Sequence, residues 1–345
     1  TRPISADMHV MLLGPAAGAS MAQTLQALRD DSAVEFAEAD KWVYPHATPN
    51  DTFFAGQWFL QPPNPDERSA VNATSGWDLT TGSTGVVIAV LDTGVRFDHP
   101  DLARATQAGR LLVGLDFVSL DAPNNFFTAN DGSSRDTDAS DPGDWVTQSD
   151  VDAPNNQCTE VGDSSWHGTR VSGVIGALSN NNVGVAGLTW ASWISPVRVI
   201  GKCGGFNSDV LAGMRWAAGL AVPAAPTNPF PAKIINVSLG GDGACTPEDQ
   251  DVVDEVTAAG ALLVVSAGNG NGQGGVEVSS PANCVGAVGV AGLRHAGTKV
   301  GFSNLGPEVA LSAPGGNCVD VTGATCVDSI DTTTNDGATT PTTRS

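Results

Sequence analysis

Three residues in this chain stand where proton transfer and oxyanion stabilisation could be carried out. His167 follows the polar loop Asp163-Ser164-Ser165-Trp166, is flanked by Gly168 and Thr169, and opens an apolar run over residues 171–177. An imidazole titrates near neutrality, so with backbone room on both sides it can move a proton. Asp92 ends a β-branched run over residues 85–91, at the carboxyl end of a strand, where open α/β sheets place ligands and chemistry. Asn269 follows the apolar residues 262–266 within Ala267-Gly268-Asn269-Gly270, and its amide N–H could be aimed at a developing oxyanion. Each has a plainer reading when taken singly: a helix-start histidine with a local hydrogen bond, a turn-capping aspartate, a turn asparagine.

Positioning such groups requires buried strands with helices between them. The continuous apolar runs at 85–91 and 262–266 read as strands buried on both faces, the mark of a parallel sheet. Further strands are expected at 111–117, 194–199, 234–237, 285–290 and 309–311. Helices are expected from His167, over 209–218, and over 247–259 with Pro247 suited to the first turn. That alternation predicts an α/β fold, a doubly wound parallel sheet. Upstream, residues 8–13 read as a strand, residues 20–30 as an amphipathic helix with Ser20 at its N-cap, and 33–40 as a second strand. Residues 124–152 carry seven aspartates against Arg135 alone, which reads as a long functional loop.

Four ordered motifs now carry a resemblance. They are Val90-Leu91-Asp92-Thr93-Gly94 with His99-Pro100-Asp101-Leu102; His167-Gly168-Thr169; Ile235-Asn236-Val237-Ser238-Leu239-Gly240-Gly241; and Ala267-Gly268-Asn269. Together they resemble the subtilisin-like serine proteases over most of residues 50–345. The resemblance implies a secreted endopeptidase acting through an acyl-enzyme. His167 would be general base, Asp92 would orient it, and the Asn269 amide would donate to the oxyanion. Substrate would lie extended between Gly204-Gly205-Phe206 and Ser238-Leu239-Gly240, with Ser266, Ala267 and Gly268 walling the primary pocket. Arg170 departs from the histidine that relatives usually carry there. The family's Gly-Thr-Ser-Met-Ala-like nucleophile motif does not occur in the sequence, and Ser345 is not taken as its substitute. The expectation is a peptidase domain over 47–345 that is C-terminally incomplete, with the serine beyond residue 345, so that these residues alone do not complete the reaction. Residues 1–46 resemble part of the family's α+β prodomain, an inhibitor acting in cis; a small accessory domain is the alternative.

The resemblance also implies structural calcium. Asp101, the Asn181 amide and the carbonyls of Ser179, Val183 and Val185 would ligate one ion, with Gln57 or Asp51 a weaker candidate. A second ion could be held by Asp131, Asp136, Asp138, Asp141 and Asp144, although a solvated acidic loop explains them almost as well. Calcium takes about six to eight oxygen ligands, which suits both sets.

Composition narrows the remaining classes. The 345 residues are 41% hydrophobic and 15% charged, a globular profile. The formal net charge of −21 disfavours nucleic acid and anionic membrane, both of which reward basic patches. No apolar run approaches the roughly 20 residues of a membrane helix, and no signal peptide is visible. A nucleotide-binding module fails for want of a G-x-G-x-x-G turn after the first strand. A non-catalytic binding domain built on the protease fold is the other alternative, and a monomer is expected. The six cysteines contain no Cys-x-x-Cys pair, so disulfides fit better than zinc, and the residues themselves leave fifteen connectivities open. The expected pairs are Cys158–Cys203, Cys245–Cys284 and Cys318–Cys326.

Overall fold

The structure, a computed structural model, describes residues 2–11, 20–40, 48–153, 157–270, 277–317 and 328–342. It forms two compact units, Thr1–Pro45 and His46–Ser345.

The first unit holds β1 (Arg2–Pro3) antiparallel to β2 (His9–Val10), and α1 (Met21–Arg29). Ser20 caps α1 in a capping box: its hydroxyl accepts from Gln23 N, and the Gln23 side chain returns to Ser20 N. The strand expected at 33–40 does not form. Val34 N donates to Asp31 O, Asp31 caps Ala33 N, and Arg29 Nε is bonded to Ala37 O. A turn and a side-chain clasp thus occupy the groups that a ladder would need.

In the second unit, a short α2 (Ala73–Trp77) leads into β3 (Val87–Asp92). There follow β4 (Leu115–Asp116), α3 (Gln148–Asp152), α4 (His167–Gly176) and β5 (Trp193–Arg198). The chain continues as α5 (Asn207–Ala217), β6 (Ile234–Val237), α6 (Pro247–Ala258), β7 (Leu262–Ser266), β8 (Val288–Leu293) and β9 (Val309–Pro314). All pairs in the sheet are parallel, in the order β4-β5-β3-β6-β7-β8-β9. The order reverses at β3, which has β5 on one side and β6 on the other. The crevice at such a switch point is where α/β sheets hold ligands.

Alternation along β3 sends its side chains to two cores. Ala89 and Leu91 join the larger one with Met214 of α5 and Val253 and Val256 of α6. Val90 joins the other, against Val171 and Ile175 of α4. Asp92 shares parity with Val90, so it faces α4. Residue 168 must be glycine for α4 to come this close: a Cβ there would lie 2.1 Å from Gly94 O.

Several expected strands differ in extent, β9 among them, which runs on to Pro314 beyond the expected 309–311. Apolar residues 111–117 yield only β4, because Gly114 adopts φ +76° and breaks the run. The strand expected at 285–290 begins at Val288, and Val285 is 80% exposed.

Disulfides join Cys158 to Cys203 and Cys245 to Cys284. Cys318 and Cys326 lie outside the described residues, as do Ser345 and all but Thr48 of the segment Trp42 to Thr48, expected as a prodomain tail. Among the described residues, no helix is long and apolar enough to cross a membrane.

Candidate active site

Asp92 and His167, 75 positions apart in sequence, are brought together by β3 and the first turn of α4. His167 Nδ1 lies 2.7 Å from Asp92 Oδ1 and 2.9 Å from Oδ2. The carboxylate is buried at 1% exposure, while the imidazole remains 44% exposed. Thr93 N also donates to Asp92 Oδ1, at 2.8 Å. An ionised carboxylate can only accept, so Nδ1 carries the proton and Nε2 presents a lone pair. The hydrogen bond to Asp92 raises the His167 pKa above its ordinary 6.5, with burial opposing and the charges of Asp92 and Asp144 adding to the rise.

The exposed side of the imidazole opens into a cavity of about 400 Å³. Ends of the switch-point strands line it: Thr93 after β3, Gly201 and Gly204 after β5, and Ser238 after β6. Cys203 is also a lining residue, so the Cys158–Cys203 bond ties the loop before His167 to this wall. Of the expected substrate-binding residues, Gly204 and Ser238 therefore share a cavity with His167. Gly205 and the half-exposed Phe206 continue one edge into α5, and Leu239 and Gly240 continue the other. A Cβ on Gly240 would lie 2.7 Å from Ser280 O, so it would press on the neighbouring segment.

Ser266, Ala267, Gly268 and Asn269 sit at the end of β7. That is two strands from β3, about 10 Å at ordinary strand spacing. Ala267 N and O bond Val290 O and Ser279 N, and Gly268 O accepts from Asn304 N, which fixes this turn. Asn269 is exposed and outside the cavity beside His167.

Reading the sequence alone missed Asp144 and Ser165 as neighbours of His167. Both line the same cavity. Asp144 had stood among five expected calcium ligands, and the structure does not gather those five. Asp131 pairs with Arg198, Asp136 accepts from Ser133 and from Asp138 N, and Asp138 from Ser140. Asp141 holds Thr93, and Asp144 holds Ser165. Among the described residues, no three His, Cys, Asp or Glu side chains are grouped to hold a metal ion. Each carboxylate is instead committed to its own donor.

The other expected set is more closely grouped. Asp101 is buried at 1% exposure and Asp51 at 5%. Asp101 accepts from Asn181 Nδ2 at 2.8 Å and from Val185 N at 2.9 Å. Asp51 accepts from Asn180 N at 2.9 Å. Burial pushes Asp101 up to about 6, and the Asp51 charge adds to that rise. Gln57 departs from the expected set, since both its amide atoms are bonded to the Ala186 backbone. His99 is structural: burial lowers it to about 4, and its Nδ1 accepts from Asp101 N.

Arg170 points away from this chemistry. Its Nε donates to Thr334 Oγ1, while the Thr332 hydroxyl donates to its carbonyl. Residues 328–342 run without strand or helix, and Thr333 and Gly337 bond to Thr169 O and Trp166 Nε1 of the α4 start.

Residues 83–344 match the model of the subtilase family of peptidases. This chain is a subtilase. The subtilase resembles an extracellular basic protease of Dichelobacter nodosus, with 40% identity over 82% of this chain and 44% of the relative. It also resembles an extracellular protease of Xanthomonas campestris, with 39% identity over 93% of this chain and 50% of the relative. It thus spans about half the length of these curated relatives. A solved protease structure from Pseudoalteromonas arctica superimposes with TM-score 0.72 at 39% identity, covering 86% of this chain and 80% of that one. The parallel sheet and its switch-point cavity are the subtilase fold.

Proposed function

We propose that this subtilase is a secreted serine-type endopeptidase that cleaves proteins or peptides through an acyl-enzyme. The observation that carries the reading is the His167–Asp92 pair, bonded through Nδ1, with the imidazole lining a cavity at the switch point of a subtilase fold. In this reading Nε2 takes the proton of a serine hydroxyl as it attacks the scissile carbonyl, then passes it to the leaving amine. Asp92 holds the tautomer and stabilises the imidazolium without taking the proton. The Asn269 amide donates to the oxyanion. Among the described residues no hydroxyl is paired with Nε2.

Substrate would pair as an extended strand with residues 204–206 and 238–240, whose glycines let a backbone approach. Residues 1–46 would serve as a cis-acting prodomain, and the enzyme would act as a monomer outside the cell. The names of its relatives support the extracellular assignment. The test is the full-length enzyme with an activated peptide ester. A burst of leaving group, equal to the enzyme concentration and preceding the steady state, is expected of an acyl-enzyme. Release without a burst, and without turnover of the matching peptide amide, would favour a binding domain instead.

Calcium would sit at Asp101, with Asn181 and the carbonyls of Ser179, Val183 and Val185. Two features favour it, and Asn181 would have to give up its bond from Val183 N and turn its oxygen to the ion. Two buried carboxylates lie near each other with no cationic side chain paired to either among the described residues. The loop also closes so tightly over Asp101 that a Cβ on Gly184 would stand 2.2 Å from its Oδ2. A bound divalent cation would neutralise these charges and hold residues 179–185 against Asp51. Chelation should therefore lower the unfolding midpoint of the full-length enzyme, and Asp101→Asn should remove most of that sensitivity. Equal midpoints with calcium and with chelator would take the ion out of the proposal.

A further inference from the structure

Two carboxylates of the acidic loop end at the start of α4. Asp141, 1% exposed, accepts the Thr93 hydroxyl at 2.7 Å through Oδ2 and Gly143 N at 2.9 Å through Oδ1. Thr93 Oγ1 in turn accepts the Gly168 N–H at 3.0 Å. Asp144 accepts Ser165 N at 2.6 Å and the Ser165 hydroxyl at 2.7 Å. Ser165 Oγ accepts the His167 N–H at 3.2 Å. The two chains run in parallel from carboxylate to hydroxyl to helix amide. Because the carboxylates only accept, each hydroxyl directs its proton to its aspartate and a lone pair to α4.

His167 and Gly168 are the first two residues of α4, and such N–H groups have no partner inside their helix. The N-cap residue, Trp166, sits in the left-handed region at φ 52° and provides no side-chain cap. The cap is therefore borrowed from the turn after β3 and from the preceding loop.

We propose that Asp141 and Asp144 are positioning residues which, through Thr93 and Ser165, fix the first turn of α4 and so hold the His167 ring against Asp92. Thr93 is the shared reference, since its N–H caps Asp92 while its hydroxyl caps the helix that carries the histidine. The imidazole is open on its cavity side, so its direction depends on its backbone and on one carboxylate. Burial pushes Asp141 up to about 6, unlike a solvated loop aspartate. Two negative groups behind the helix start also complement its dipole.

The inference rests on His167 being the base of the proposed reaction, but its test does not need turnover. The midpoint of His167 is read by NMR in this chain, with the resonance assigned by its loss in His167→Gln. The charges that act on the ring are those of Asp92 and Asp144, which raise its pKa, and of Arg170, which lowers it from a side chain directed towards Thr334. Thr93→Val keeps the shape and removes the hydroxyl; Ser165→Ala does the same at a less buried place. Each should lower the midpoint by about 0.5 unit or more as the ring leaves Asp92, whereas Thr93→Ser should keep the parent value. In the full-length enzyme, kcat on a short peptide should fall about tenfold with KM nearly unchanged, as expected of a misplaced base. If Thr93→Val does not fold, Ser165→Ala decides the matter. Midpoint and kcat both at parent values in folded Ser165→Ala would overturn the proposal. A full-length parent that hydrolyses nothing bears on the proposed function and leaves the titration to judge the relays.

Discussion

In the full-length enzyme, His167→Ala should lower kcat by about 10⁴-fold or more while substrate binding persists, the size known for serine-protease triads. Asp92→Asn should do nearly as much for a different reason. An asparagine amide would donate to Nδ1 and leave the proton on Nε2, the nitrogen that must accept it. The pH profile separates the two effects. A general base works only when neutral, and the hydrogen bond to Asp92 raises the His167 pKa. The acid limb of kcat/KM should therefore have its midpoint above 6.5, with activity gained as pH rises through it. Residual activity in Asp92→Asn should show that limb displaced downwards. An acid limb below 6.5 in the parent, or one unmoved by Asp92→Asn, would contradict the pairing.

Arg198→Met should destabilise the fold by about 3–5 kcal/mol, because it strips the partner from a buried carboxylate. Arg198 is fully buried. Its Nη1 lies 2.5 Å from Asp116 Oδ2 and 2.7 Å from Asp131 Oδ2. Its Nε donates to Thr93 O, and its Nη2 to Ala129 O. Burial pushes Asp116 up to about 7 even beside this guanidinium. The sign of the pH dependence follows. A folded-state pKa raised above the unfolded carboxylate value favours the protonated fold, so stability is relatively higher at low pH and declines as pH rises towards the folded pKa. Removing Arg198 raises that pKa further, so the loss should be smaller at pH 5 than at pH 8, growing by about 1.4 kcal/mol per pH unit above 7. A drop in the thermal midpoint of about 10 °C at the higher pH is expected. Asp116→Asn added to Arg198→Met should recover part of it by removing the stranded charge. Equal losses at both pH values would show that the defect is one of packing and not of charge.

The strands that carry the site were legible because burial on both faces leaves uninterrupted β-branched runs. Residues 85–91 and 262–266 differ from β3 and β7 by no more than the end positions. The ends of those runs placed Asp92 and Asn269, and parity along β3 turned Asp92 towards α4. Residues 33–40 misled because an alternating pattern specifies a strand only where a neighbouring edge exists, and Asp31 and Arg29 had closed the backbone locally. The aspartates of residues 124–152 misled in another way. Their number was plain, but a carboxylate's partner depends on where the chain folds, and Thr93, Ser165 and Arg198 are remote in sequence. What looked like a possible ion cage is a set of separate acceptors, two of which reach the helix of His167.

The most direct measurement of the central claim is covalent labelling of the full-length enzyme with a phosphonofluoridate, followed by mass analysis. A serine activated by His167 should lose its proton to Nε2, displace fluoride, and leave one stable phosphonyl adduct per enzyme. One adduct on one serine is expected, formed quickly in the parent and lost in His167→Ala. No adduct in the parent, or an adduct formed equally fast without His167, would contradict it.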